Sequence, residues 1–372
     1  MQFTALEARC ADQRQMVETQ LDWGLDAMVQ IPPWLLTVPG DTADLRGLPV
    51  ALDPRVEVCE WSIAGEGGER LLHKEYRTPA GPLSTTVRKT ADWPYGEHIP
   101  FLDDYIVPRA RKPLVTCADD LPKLRYLLTP PREAVARNLH AEARPLRELA
   151  RQYDLLVSGG LGVGADMAGW LCGLENLMVQ AIEEPTLVSE LLDLIADWNL
   201  ARMQVVLDEG VDLWVRRGWY EGCDFWSPRL YRQFILPHLQ REAALAHSRG
   251  VAFGYIITSG FMPLLEMIIE AGVDVLIGVD PLMGGTDLER LREKTSGRLC
   301  LWGGVNGGLT VERGSAEEVR AAVQLALDTL APGGGFILSP VDDVEDASAL
   351  AWSNAQVLVA AWKEWRLARG MP

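Results

Sequence analysis

The sequence has no C-x-x-C pair. Its six cysteines (Cys10, Cys59, Cys117, Cys172, Cys223 and Cys300) are scattered along 372 residues. That spacing argues against a disulfide framework or a zinc knuckle and fits reduced thiols in a cytosolic protein. Long apolar runs are also missing: charges, Gly or Pro break each one before it reaches membrane-spanning length. The N-terminal MQFTALEARCADQRQ lacks the basic start and apolar core of a secretory signal. Positive charge is in deficit, with 35 Lys and Arg against 52 Asp and Glu and a net charge of −17. Such a field repels nucleic acid and anionic membrane surfaces, and it disfavours a substrate carrying many carboxylates. No G-x-G-x-x-G opens a helix; SGGLGVG at Ser158–Gly164 misses that spacing.

What is present is a rhythm. From Asp154 onward, apolar β-type runs (DLLVSGG, VDLWVRRG, VAFGYIITS, VDVLIGVD, RLCLWGG, GGFILSP) alternate with amphipathic helical stretches. Ser227 followed by Pro228 marks one helix start, and Gly210 and Gly272 mark helix ends. This βα alternation predicts an α/β fold, a TIM-like (β/α)8 barrel. The strand near Val56 and another within residues 100–118 are expected to complete the ring. Residues 1–30 read as one helix, with Leu6, Val17, Leu21, Leu25 and Met28 at helical spacing, ended by the prolines of QIPPWLL. LLHKEYRTPAGPLSTTVRKT reads as an antiparallel hairpin. No Ser/Gly-rich linker occurs, so the chain reads as a single domain, 1–372, in which residues 1–118 contain an N-terminal helical and β-hairpin extension.

Chemistry in such a barrel belongs at the carboxyl ends of the strands. The loop after VDLWVRRG offers Arg216, Arg217, Tyr220, Glu221, Cys223 and Asp224. Glu221 or Asp224, partly desolvated beside Tyr and Trp, suits a general acid. Asp280 ends an apolar strand, where a carboxylate needs a partner or a substrate. Tyr220, Glu221, Asp224 and Asp280 are therefore the candidate catalytic residues. Arg216, Tyr255, Ser259, Trp302, Asn306, Ser339 and Asp342 are the candidate substrate-binding residues, with Trp302 and Asn306 suited to a flat ligand. His238 and His247 read as structural. His98, in a Pro-rich loop, is the histidine placed to cover the mouth.

Several stretches carry a resemblance: SPRLYRQFILPHLQ, PLLEMIIEAGVDVL, RLCLWGGVNG, EEVRAAVQLAL followed by APGGGFILSP, and VDDVEDAS. Together they resemble the uroporphyrinogen decarboxylase superfamily, over roughly the C-terminal half. TPAGPLSTTVR is similar to the N-terminal hairpin of its methyltransferase branch. The resemblance implies a TIM-like barrel with its site at the C-terminal strand ends. Two family features are missing. The Arg-Gln-Ala-Gly-Arg-Tyr motif that holds tetrapyrrole carboxylates is absent, the region reading WGLDAMVQIPPWLL. The His-x-Cys zinc pair of the thiol-activating methyltransferases is replaced in Ile257-Thr258-Ser259-Gly260, so no metal ligands are assigned. The implied activity is an O-demethylase-type methyltransferase, passing a one-carbon unit from a small methoxylated or methylated substrate to tetrahydrofolate or to cobalamin carried by a partner corrinoid protein. A decarboxylase using Arg216 or Arg217 to hold a carboxylate, and a non-catalytic ligand-binding barrel, are the alternatives. A homodimer is compatible with the hairpin and the aromatic surface.

Overall fold

The protein is described by a computed structural model covering residues 6, 9–31, 44–45 and 48–370. The first helix is shorter than its periodicity predicts. It runs Gln13–Asp22, with the Asp12 side chain capping its N-terminus. It gives way at Gly24, whose φ of 72° lies in the left-handed region. Met28 lies in strand β1 (Met28–Ile31) instead, because a short apolar run satisfies helical and strand spacing equally and pairing decides between them. Residues 1–5, 7 and 8 of the expected helix and the Pro32-Pro33 stop lie outside the described residues.

A four-stranded antiparallel sheet follows, made of β2 (Glu57–Ala64), β3 (Arg70–Thr78), β4 (Gly81–Arg88) and β5 (Ala110–Lys112). The expected hairpin is β3–β4, in register from Leu71↔Arg88 to Thr78↔Gly81. The strands expected near Val56 and within 100–118 do not join the barrel. They are β2 and β5, and they pair antiparallel with β3 and β4. The small sheet is thus inserted between the first and second barrel strands rather than placed before the barrel.

The second sheet is parallel, in the order β1, β6 (Leu156–Gly162), β7 (Leu213–Arg217), β8 (Ala252–Ile256), β9 (Val275–Val279), β10 (Cys300–Asn306), β11 (Phe336–Val341). Sequential order without reversal is the signature of a barrel wall and not of a doubly wound sheet. Seven strands are seen among the described residues, where eight were expected. The crossover helices include Pro185–Leu207, Pro228–Phe234, Leu236–Ser248 and Ala316–Leu330.

In-register neighbours share a face, and consecutive residues alternate faces. One row, Arg216↔Tyr255↔Leu276↔Leu301, is completely or almost completely buried. Its side chains meet the crossover helices. The next row, Arg217↔Ile256↔Ile277↔Trp302↔Ile337, lines the inside of the curl. Solvent reaches this row, and Ile337 is 40% exposed. The lumen wall is therefore apolar, with Arg217 at one end of the row.

Candidate active site

The two adjacent arginines of VDLWVRRG part company at the sheet. Arg216 turns outward. Its Nη2 pairs with Glu221 at 2.6 Å, and its Nη1 with Glu242 of the Leu236–Ser248 helix. The Tyr255 hydroxyl donates to the second Glu221 oxygen at 2.7 Å, and the Ala165 amide donates to the first at 2.8 Å. Glu221 and Glu242 are fully buried. Burial alone would lower the Arg216 guanidinium, but Glu221 and Glu242 outweigh it and hold the charge in place. The fit requires glycine at Gly164, where a Cβ would lie 1.9 Å from Arg216 Nη2, and at Gly218, where it would meet the Tyr255 ring at 2.5 Å.

Arg216, Glu221 and Tyr255 were expected to serve the site from the lumen, and this placement reassigns them. Both Glu221 oxygens are occupied as acceptors, so Glu221 is spent on the brace and not on the general-acid role expected of it. The group braces β7, β8 and the start of the Ala165–Cys172 helix against the outer helices. His238 packs beside Arg216 in a seam too tight to hold a water molecule. Burial, then the Arg216 charge, pushes its imidazole down to about 4, which keeps it neutral.

Arg217 faces the mouth. Its Nη2 binds Asp104 at 2.6 Å and its Nε lies 3.3 Å from Asp166. Its guanidinium sits over the rings of Trp219 (4.2 Å) and Trp170 (4.9 Å). Asp104 comes from the inserted segment and also accepts from Trp170 Nε1 at 2.9 Å and the Tyr220 hydroxyl at 2.8 Å. Asp166, buried in the first turn of the Ala165–Cys172 helix, accepts the amides of Trp219 (3.1 Å) and Tyr220 (2.8 Å). Burial raises its carboxyl to about 6, with Arg217 pulling the other way and Glu221 adding to the rise. Burial, then Asp104, raises the Tyr220 phenol, so it stays protonated as a donor.

Asp280 and Asn306, expected in separate catalytic and ligand-holding roles, bind each other as a brace. Asp280 accepts from the Leu282 amide (2.8 Å) and Asn306 Nδ2 (2.6 Å), while Asn306 Oδ1 accepts from the Leu309 amide (2.6 Å). Two rim loops are thereby tied to one carboxylate. Ser339 donates to the Pro340 carbonyl within its own strand, at 2.8 Å. Ser259 donates to Asp224 at 2.5 Å, a pair standing apart on the exposed rim.

Asp342 follows β11 directly with a φ of 61°, a strained conformation for a residue with a side chain. The residue is exposed at the mouth, yet partial shielding of its carboxyl raises it; Asp280 adds to the rise and Arg217 opposes it. Next to it, Asp343 is raised to about 6 by shielding and by Glu345 and Asp342. Trp302 stands in the lumen row, half-buried. His98 does not cover the mouth. It is held against the inserted sheet, its Nδ1 3.0 Å from Glu60 of β2, beside the buried Lys74–Asp44 pair.

Asp104, Asp166 and Trp170 escape a reading of the sequence. An acidic residue in the first turn after GLGVG was a usable signal for Asp166. Asp104 sits in FLDDYIV, where no periodicity marks it. The zinc site of the thiol-activating relatives does not fit these residues. Ile257 is fully buried in the core, Ser259 is engaged with Asp224, and among the described residues no three His, Cys, Asp or Glu side chains are grouped to hold a metal.

Comparison with known proteins follows this geometry. Residues 94–365 match the family model described as uroporphyrinogen decarboxylase (URO-D). Two curated relatives, from Methanosarcina barkeri and its strain Fusaro, are each a methylcobamide:CoM methyltransferase MtaA. Each is 24% identical over 247 residues, spanning 64% of this chain and 70% of the relative. A solved methyltransferase from Methanosarcina mazei superposes with a TM-score of 0.54 at 18% identity, covering 95% of this chain and 85% of that one. The order of the strands, the site at their carboxyl ends and a match running through most of the chain agree: this protein belongs to the uroporphyrinogen decarboxylase family.

Proposed function

We propose that this protein is a methyltransferase of the O-demethylase kind, moving a methyl group from a small methoxylated or methylated substrate to a corrinoid or folate acceptor. The observation that carries the reading is the 247-residue relationship to a methylcobamide:CoM methyltransferase. The lumen supports it. Ile256, Ile277, Trp302 and Ile337 form an apolar wall for a flat, largely neutral substrate body. Cleaving a methyl–oxygen bond leaves an alkoxide or phenoxide that needs a proton. Asp342 is the residue we assign to supply it: it is exposed, and its carboxyl is raised by shielding and by Asp280, with Arg217 opposing. In this step the methyl–oxygen bond breaks, the methyl group passes to the acceptor, and the Asp342 proton goes to the leaving oxygen. A corrinoid brought by a partner protein would supply the cobalt that carries the methyl group. The exposed rim side chains Leu282, Met283 and Leu309 are those it would meet.

The test is incubation of the purified protein with a panel of methoxyarenes and either a reduced corrinoid or tetrahydrofolate, following the demethylated product. Absence of methyl transfer across the panel would sink the reading. A decarboxylase is the second reading, favoured by Arg217 at the lumen rim; release of carbon dioxide from a carboxylic acid separates the two.

A further inference from the structure

Asp104 is held as a bound ligand would be. Three donors from separate parts of the barrel converge on one half-exposed carboxylate: Arg217 Nη2 at 2.6 Å, Trp170 Nε1 at 2.9 Å and the Tyr220 hydroxyl at 2.8 Å. Each donor is fixed by something other than Asp104. Asp166 holds Arg217 through Nε, and two backbone amides hold Asp166. Trp170 is 7% exposed within a helix, and Phe225 packs edge-on against Tyr220 at 5.6 Å. The receptor is therefore preorganised, and its occupant is the most replaceable part.

We propose that Arg217, Trp170 and Tyr220 form a carboxylate-binding site, that Asp104 fills it in the free protein, and that the carboxylate of a small aromatic acid displaces Asp104 when it binds. Charge dictates exchange rather than addition. Arg217 already faces two carboxylates, Asp104 and Asp166. A third carboxylate alongside Asp104 is repelled, whereas one in its place leaves the balance unchanged. Release needs little movement. The Asp104 side chain is 38% exposed, while its neighbours Leu102 and Ile106 stay anchored in the interior. From this position the body of the ligand runs along Ile256, Ile277 and Trp302, the row that Arg217 heads. This goes beyond methyl transfer and names a ligand class for the rim whatever reaction follows.

The test is equilibrium binding of benzoate, read by calorimetry and by fluorescence of the tryptophans around Arg217. Asp104 competes as an intramolecular ligand at an effective concentration of about millimolar or more, so Asp104→Ala should bind benzoate at least about tenfold more tightly than wild type. Benzamide, the same shape without the charge, should not bind, and adding Arg217→Met should abolish the gain. Asp104→Asn keeps the side-chain volume and an acceptor for Trp170 and Tyr220. It should show the same preference, and it stands in should the alanine variant not fold. Benzoate binding no tighter than in wild type, or benzamide binding as well as benzoate, overturns the proposal. No turnover is measured, so failure here leaves the methyltransferase reading standing, and failure of that reading leaves the site standing.

Discussion

Arg216→Ala removes the guanidinium from between Glu221 and Glu242, both fully buried. Glu221 keeps the Tyr255 hydroxyl and the Ala165 amide, but each carboxylate loses its counter-charge. Breaking a buried pair by removing one partner costs about 3–5 kcal/mol. Unfolding entropy of about 2.1 cal/mol/K per residue comes to about 0.8 kcal/mol/K for 372 residues. The expected fall in Tm is therefore about 4–6 °C at neutral pH. The sign of the pH dependence follows. Burial already raises the Glu242 carboxyl in the wild type, with Arg216 pulling the other way, so without Arg216 it rises further. An acid whose folded value exceeds its unfolded value costs stability progressively as pH climbs from the unfolded value through the folded one. The deficit should thus be largest near pH ~8 and shrink toward pH ~5, where the buried carboxyls take up protons. Thermal melts of both proteins across that range provide the assay. A Tm change below about 1 °C, or a deficit independent of pH, refutes the assignment of these residues as a brace under mutual charge compensation.

Three further outcomes are expected. Gly164→Ala puts a Cβ 1.9 Å from Arg216 Nη2; it should cost about 1–3 kcal/mol or more through overpacking, read as a lower denaturation midpoint. Asp342→Asn, on the methyltransferase reading, should lower kcat by about 100- to 10,000-fold with KM little changed. Wild-type kcat should fall as pH rises through the raised Asp342 carboxyl, because the protonated form is the donor, and the variant should lose that limb; an unchanged pH profile would remove Asp342 from the chemistry. Metal analysis should find well below one zinc per chain, and chelation should leave turnover unchanged, since Ile257 and Ser259 provide no donor pair.

The barrel frame was legible because its signals are local. Strand runs ending in Gly, Asp or Ser and the Ser227-Pro228 helix start act through neighbouring residues, and the structure keeps them. Met28 was read as helical because four strand residues carry no period of their own until β6 pairs with them. β2 and β5 were counted toward the barrel because a strand sequence does not name its partner. The candidate site divides in the same way. Asp280, Asn306 and Asp342 were singled out because they lie at or just past strand ends, and strand ends in a barrel converge.

The sequence by itself determined that this chain is a βα-repeat barrel of the uroporphyrinogen decarboxylase family without that family's zinc pair or tetrapyrrole clamp. It named Arg216, and not its neighbour Arg217, among the substrate-binding residues. Tertiary structure alone decided that Arg216 is buried against the helices with Glu221 and Glu242, and that Arg217 faces the mouth with Asp104 and Asp166. The physical reason is alternation: consecutive residues on a strand point to opposite faces, and which face is the lumen depends on how the whole sheet curls. Asp104 lies 113 residues before the arginine it binds, and no local rule relates positions so far apart until the chain has folded.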